Sequence, residues 1–128
     1  MTYISEELKN AINKFIPYLE QPDFEGAIVS ENYRTLQKSF GVIEKVIFMF
    51  KESGLVFETK YNSSLVTFES GARLRFARAD AIVGLLLDAA LIVDGLSTTT
   101  QSIMLVKSRL WNSKGAHNNL WLIDEGKI

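Results

Sequence analysis

Arg73, Arg75 and Arg78 form the one short cationic run in the chain, and on an exposed sheet face they would meet the phosphates of a nucleic acid or another phosphate-bearing ligand. Lys60 on a neighbouring strand would extend the run, while Glu44, Glu58 and Glu69 stand near enough in the expected arrangement to neutralise it. A second group consists of acids that follow apolar runs. Residues 90–95, ALIVDG, and 120–125, LWLIDE, both have the form of a buried strand ending in a carboxylate, the position from which Asp94 or Asp124 would hold a hydrated magnesium ion. A strand whose end simply meets solvent has the same appearance, and no metal site is assigned.

Most other chemistry is excluded by what the sequence lacks. No GxxxxGK[ST] motif occurs, so the usual loop of backbone amides around a phosphate is missing. His117 is the single histidine, and cysteine is absent. Histidine-based zinc sites, a histidine relay, thiolate catalysis and disulfides therefore all fall away. His117 lies among Gly115, Ala116, Asn118 and Asn119, where an exposed and chemically idle imidazole is expected. Asp88, Asp94, or Asp124 with Glu125, would be the acids of an enzyme, but no nucleophile or base is paired with them. The expectation is a protein without catalytic residues, cofactor or metal.

The elements that must position these residues follow from periodicity. Ser5 with Glu6 and Glu7 caps a helix whose Leu8, Ile12, Phe15 and Leu19 share one face, and Pro17 ends or kinks it near Ile16. Residues 26–30 suit a short strand or the lead into a helix over 31–40, closed by Gly41. Residues 42–50, rich in branched and aromatic side chains, read as a strand, followed by strands over 55–60, around 65–68 and around 73–76. Loop lengths pair Phe48 with Phe57, Phe57 with Phe68, Phe68 with Leu74, and Glu69 with Arg73, which keeps the aromatic side chains on one face. Gly71 supplies the left-handed position of the last turn. Asp80 is a cap for whatever begins at Ala81, and from there two readings stay open. Residues 81–93 form either one helix, apolar on nearly all sides, or a turn followed by a buried strand over 89–93 with Asp94 at its carboxyl end. Ser97 precedes a helix over 99–111, and residues 119–123 make a last strand.

The fold class expected is α+β, a single compact domain over 1–128 with an antiparallel meander over 42–76 packed against N-terminal and C-terminal helices. A 128-residue chain with 47% hydrophobic residues builds such a core without staples. Fourteen Lys plus Arg against 15 Asp plus Glu leave a formal net charge of −1, which argues against a strongly basic nucleic-acid module while leaving a local patch open. The acidic N-terminal stretch and the short apolar run, interrupted by Gly84 and Asp88, fit neither a secretory signal nor a membrane span, so a cytoplasmic protein is expected.

Residues 70–80, SGARLRFARAD, followed by 81–94, AIVGLLLDAALIVD, resemble the middle of the ATPase domain of viral terminase large subunits, motors that use ATP to drive viral DNA into a capsid. In that family a glycine turn and a strand precede an arginine-glycine pair, and an apolar strand then ends in a magnesium-binding Asp and a catalytic Glu. Asp94 matches that Asp. Val83 stands where the family has an arginine, Gly95 replaces the catalytic Glu, and the phosphate loop has no counterpart. The resemblance covers about a quarter of the chain closely and implies a relative unable to hydrolyse ATP alone.

Two functions follow as expectations. The leading one is protein association as an oligomer, because an all-apolar helix over 81–93 needs a second subunit to cover it, with Leu85, Leu86 and Leu91 at the interface. The alternative is a nucleic-acid-associated viral accessory protein that uses Arg73, Arg75 and Arg78. A protein partner or second copy, or nucleic acid, is expected as ligand; a membrane is not.

Overall fold

A computed structural model of the chain describes residues 4–30, 41–61, 63–82, 86–93, 100–110 and 120–123. The fold is α+β; among the described residues three helices lie on a six-stranded mixed sheet. Helix α1 (Glu6–Phe15) starts where Ser5 Oγ accepts the Leu8 amide at 3.2 Å and ends at Ile16, one residue before Pro17. Its face Leu8, Ala11, Ile12 and Phe15 is buried. Full burial of Leu8, Ile12 and Phe15 contributes on the order of 1.5–3 kcal/mol each. A short 3-10 turn at Tyr18–Glu20 then leads into β1 (Glu25–Ser30).

Helix α2 (Val42–Glu52) replaces the expected first strand of the meander. The reason lies in which acid each geometry would bury. Strand alternation from Val42 to Phe50 would put Glu44 on the core face, whereas the observed buried set Val42, Val46, Met49 and Phe50 has helical spacing and leaves Glu44 exposed. Branched and aromatic composition favoured a strand, and packing of a whole helical face overrode it. The expected strand pairing of Phe48 with Phe57 is lost with that strand: Phe48 is exposed on the helix, and Phe50 packs on the meander instead, with ring centroids 6.0 Å from Phe57 and 5.3 Å from Phe68.

The meander therefore has three strands, β2 (Phe57–Lys60), β3 (Leu65–Phe68) and β4 (Arg73–Arg78). Phe57 pairs with Phe68 as its loop length predicts. In the next hairpin Val66 faces Leu74 and Thr67 faces Arg73, two positions from the expected register. A slip of two preserves every side chain's face, so the apolar pattern could not distinguish the alternatives. The turn closes with Phe68 N donating to Ala72 O, and Gly71 N to Phe68 O, both at 2.9 Å.

Beyond β4 the chain makes a 3-10 turn (Ala79–Ile82), and residues 89–92 form the buried strand β5 (Ala89–Ile92). Of the two readings of the long apolar run, the turn and strand is the one found, and the single helix is not. Helix α3 (Thr100–Arg109) and strand β6 (Leu120–Leu122) follow. The expected helix over 31–40 and the Ser97 cap lie outside the described residues, as does the Asp80 side chain.

Sheet order is β2-β3-β4-β1-β5-β6. Strands β1, β4, β5 and β6 are mutually parallel, and β2 and β3 add an antiparallel flank. One face carries Ile28, Leu74, Phe76, Val66 and Leu91 against α1 and α2. The opposite face carries Ala27, Val29, Ala90 and Ile92 against Val106 and Leu110 of the α3 region and Ile82. Alanines at 27, 77 and 90 keep that second face low enough for a helix to lie close to the strands. No described helix is long and apolar enough to cross a membrane.

Candidate nucleic-acid interface

The arginines belong to β4, and the preceding turn fixes where that strand begins. Ser70 Oγ donates to Leu19 O at 2.6 Å and accepts the Ala72 amide at 3.2 Å, while Arg73 N donates to Phe24 O at 2.9 Å. These bonds tie the hairpin to the 3-10 turn and to the entry of β1.

Strand alternation then separates the three arginines. Leu74 and Phe76 are buried on the α1 and α2 face, so Arg73 and Arg75 lie on the other face and Arg78 returns to the first. Arg73 is paired across the sheet with Glu25, its direct neighbour on β1, through both Nε and a terminal nitrogen to Glu25 Oε1. The expected Glu69–Arg73 pairing is not formed; the Glu69 amide donates instead to Val56 O at 2.9 Å. Arg75 is half-buried, and its Nε has no hydrogen-bond partner. Arg78 ends the strand, exposed, beside the buried Ser30.

Register defines rows across the sheet. One runs Lys60, Leu65, Arg75, Ala27, Ala90, Leu120. Its apolar half lies under the α3 layer, and its charged half is open: Lys60 is exposed, and Leu65 and Arg75 are half-buried. The adjacent row runs Glu58, Thr67, Arg73, Glu25, so the acids of this surface share a row with Arg73 rather than with Arg75. Glu25 was the residue that sequence reasoning missed. It lies 48 positions from Arg73, and only the parallel pairing of β1 with β4 brings them together.

The acids divide similarly. Asp88 sits at the amino end of β5, where Oδ2 accepts the Glu25 amide at 2.9 Å and its own amide donates to Glu25 O at 2.7 Å. It links two parallel strands at the end opposite to that where ligands of open parallel sheets bind. Asp94, Asp124, Glu125 and His117 lie outside the described residues. Among the described residues no group of three or more acids and histidines is arranged to hold a metal ion.

Of the expected interface leucines, Leu91 is fully buried within this chain's own sheet, Leu86 is 59% exposed, and Leu85 lies outside the described residues. A strand covered on both faces by its own chain removes the reason for requiring a second subunit over 81–93.

No family model matches the chain, and no curated protein sequence matches it. Solved structures do. The large terminase of the thermophilic bacteriophage D6E superposes with a TM-score of 0.64 at 13% identity, over 88% of this chain and 27% of the terminase chain. The same terminase in complex with ADP gives 0.57 at 12% identity, over 94% and 38%. Another crystal form gives 0.55 at 11% identity, over 95% and 45%. The chain spans less than half the length of the solved terminase chains it matches, and at these identities the likeness is one of fold, confirming a partial resemblance to the terminase core.

Proposed function

We propose that this chain is a nucleic-acid-associated module built on a terminase-type ATPase sheet, acting in viral DNA handling without hydrolysing ATP by itself. The observation that carries the reading is β5, a buried strand parallel to β1 within a fold that superposes on the large terminase over 88% of the chain. A single helix over 81–93 would have favoured a subunit-covered association module instead. The sequence supplies neither a GxxxxGK[ST] loop nor a Glu after Asp94, so it lacks both the cradle for the phosphates and the group that orients the attacking water. What it retains is a sheet with an open cationic flank. The test is binding of a labelled DNA to the purified chain as salt is raised. Association at low salt that falls log-linearly with salt supports the reading, and no association at about 50 mM salt refutes it.

Protein association is a second reading, supported by exposed apolar side chains at Phe48, Val56, Leu86, Met104 and Leu122. Light scattering at high concentration tests self-association: a dimeric mass supports it, and a strictly monomeric mass removes self-association from it.

A further inference from the structure

We propose that the open flank of the sheet is a single-strand site, in which Arg75 and Lys60 hold a backbone phosphate and Tyr61 provides the platform on which a base stacks. This inference rests on the nucleic-acid reading above and gives it a ligand class. Three independent observations meet at this place. Arg75 has a buried Nε with no hydrogen-bond partner, and none of the described acids pairs with its guanidinium. The enclosed Nε cannot itself reach a ligand, but a guanidinium that no described acid engages keeps its terminal N–H donors for an incoming oxyanion, which an ion-paired one does not. Lys60 stands in the same row, two strands away across Leu65. Two interstrand spacings amount to about 10 Å between the Cα atoms, a gap that these two long side chains span from both sides.

The third observation is Tyr61. It follows Lys60 directly, is 75% exposed, and has φ 55°, a left-handed conformation uncommon for a bulky residue. The turn holds it there: Ser64 N donates to Tyr61 O at 3.1 Å and Ser64 Oγ to the same oxygen at 2.7 Å. An aromatic ring kept in solvent on the residue after Lys60, with Arg75 in the same row as Lys60, supplies the two things that a single-stranded nucleic acid needs, since every base has a face to stack and every nucleotide a phosphate. In a duplex the bases are already stacked, so the ring has no partner there. Arg73 is excluded from the site by Glu25, and Arg78 by strand alternation.

The experiment is fluorescence anisotropy with a labelled 12-nucleotide single strand and the matching duplex. The single strand is expected to bind about tenfold more tightly than the duplex. Arg75→Met and Lys60→Met are each expected to weaken it by about tenfold and to flatten its salt dependence by close to one phosphate contact. Tyr61→Ala is expected to weaken it by about tenfold with the salt slope unchanged, and Tyr61→Phe to restore it. Arg73→Met and Arg78→Met should change affinity by less than twofold. Circular dichroism melts confirm that each variant is folded. Wild-type affinity in both Arg75→Met and Tyr61→Ala, or duplex preferred over single strand, overturns the site while leaving the nucleic-acid reading standing. Absence of binding to either DNA overturns both.

Discussion

Replacing Gly71 with alanine tests how the hairpin that carries the arginines is held. Gly71 has φ 100°, and a Cβ at this position would lie 2.7 Å from the carbonyl oxygen of Pro22. Gly54 offers a control within the same molecule, with φ 76° and nothing within 4 Å of the place a Cβ would take. Both substitutions incur the left-handed backbone cost of about 1–2 kcal/mol for an L side chain. Gly71→Ala must also push the turn away from Pro22. That movement loosens the Ser70 hydroxyl from Leu19 O and from the Ala72 amide, two bonds each contributing about 1 kcal/mol. The total is about 3 kcal/mol for Gly71→Ala against about 1 kcal/mol for Gly54→Ala. Urea unfolding measures the difference. With an m-value of about 2 kcal/mol/M, the midpoint falls by about 1.5 M in the first variant and about 0.5 M in the second. Equal shifts in the two variants would refute the claim that contact with Pro22 anchors the hairpin.

Asp88→Ala should lose about 1–2 kcal/mol of stability by leaving the Glu25 amide without its acceptor, whereas Asp88→Asn, which keeps an acceptor oxygen, should lose less than half of that in the same assay. Phe15 is fully buried, with its ring centroid 5.1 Å from Trp121 and 6.3 Å from Phe24. Phe15→Ala should therefore cost about 3–5 kcal/mol, read as an earlier urea midpoint with an altered native tryptophan emission; an unchanged emission would contradict the contact with Trp121.

Local signals in the chain were legible where one residue type has one physical use. Ser5 before two acids caps α1, Pro17 limits it, and Gly71 occupies the left-handed turn position. The pairing of Phe57 with Phe68 followed from loop length alone. Errors arose where the signal is degenerate. Residues 42–50 satisfy strand composition and helix spacing together, and only the position of Glu44 separates the two. The second hairpin could slip by two residues because every apolar side chain keeps its face. Run 81–93 has too few polar residues to show any period, so its conformation depends on the β1 and β6 neighbours that a sequence does not display. The arginines show the same division. The alternation of Arg73 and Arg75 with Leu74 and Phe76 was readable, but Arg78 was grouped with them although the same alternation puts it on the other face, and the partner that neutralises Arg73 was not readable, because Glu25 arrives through a parallel crossover rather than a hairpin.

On the function proposed above, the terminase-type sheet binds nucleic acid and does not turn over nucleotide. Phosphate release from millimolar ATP with magnesium, measured on the purified chain with DNA present, tests it most directly. The prediction is no release above the protein-free rate under conditions where the DNA is bound. Release that scales with protein concentration and disappears in Asp94→Asn would contradict the account.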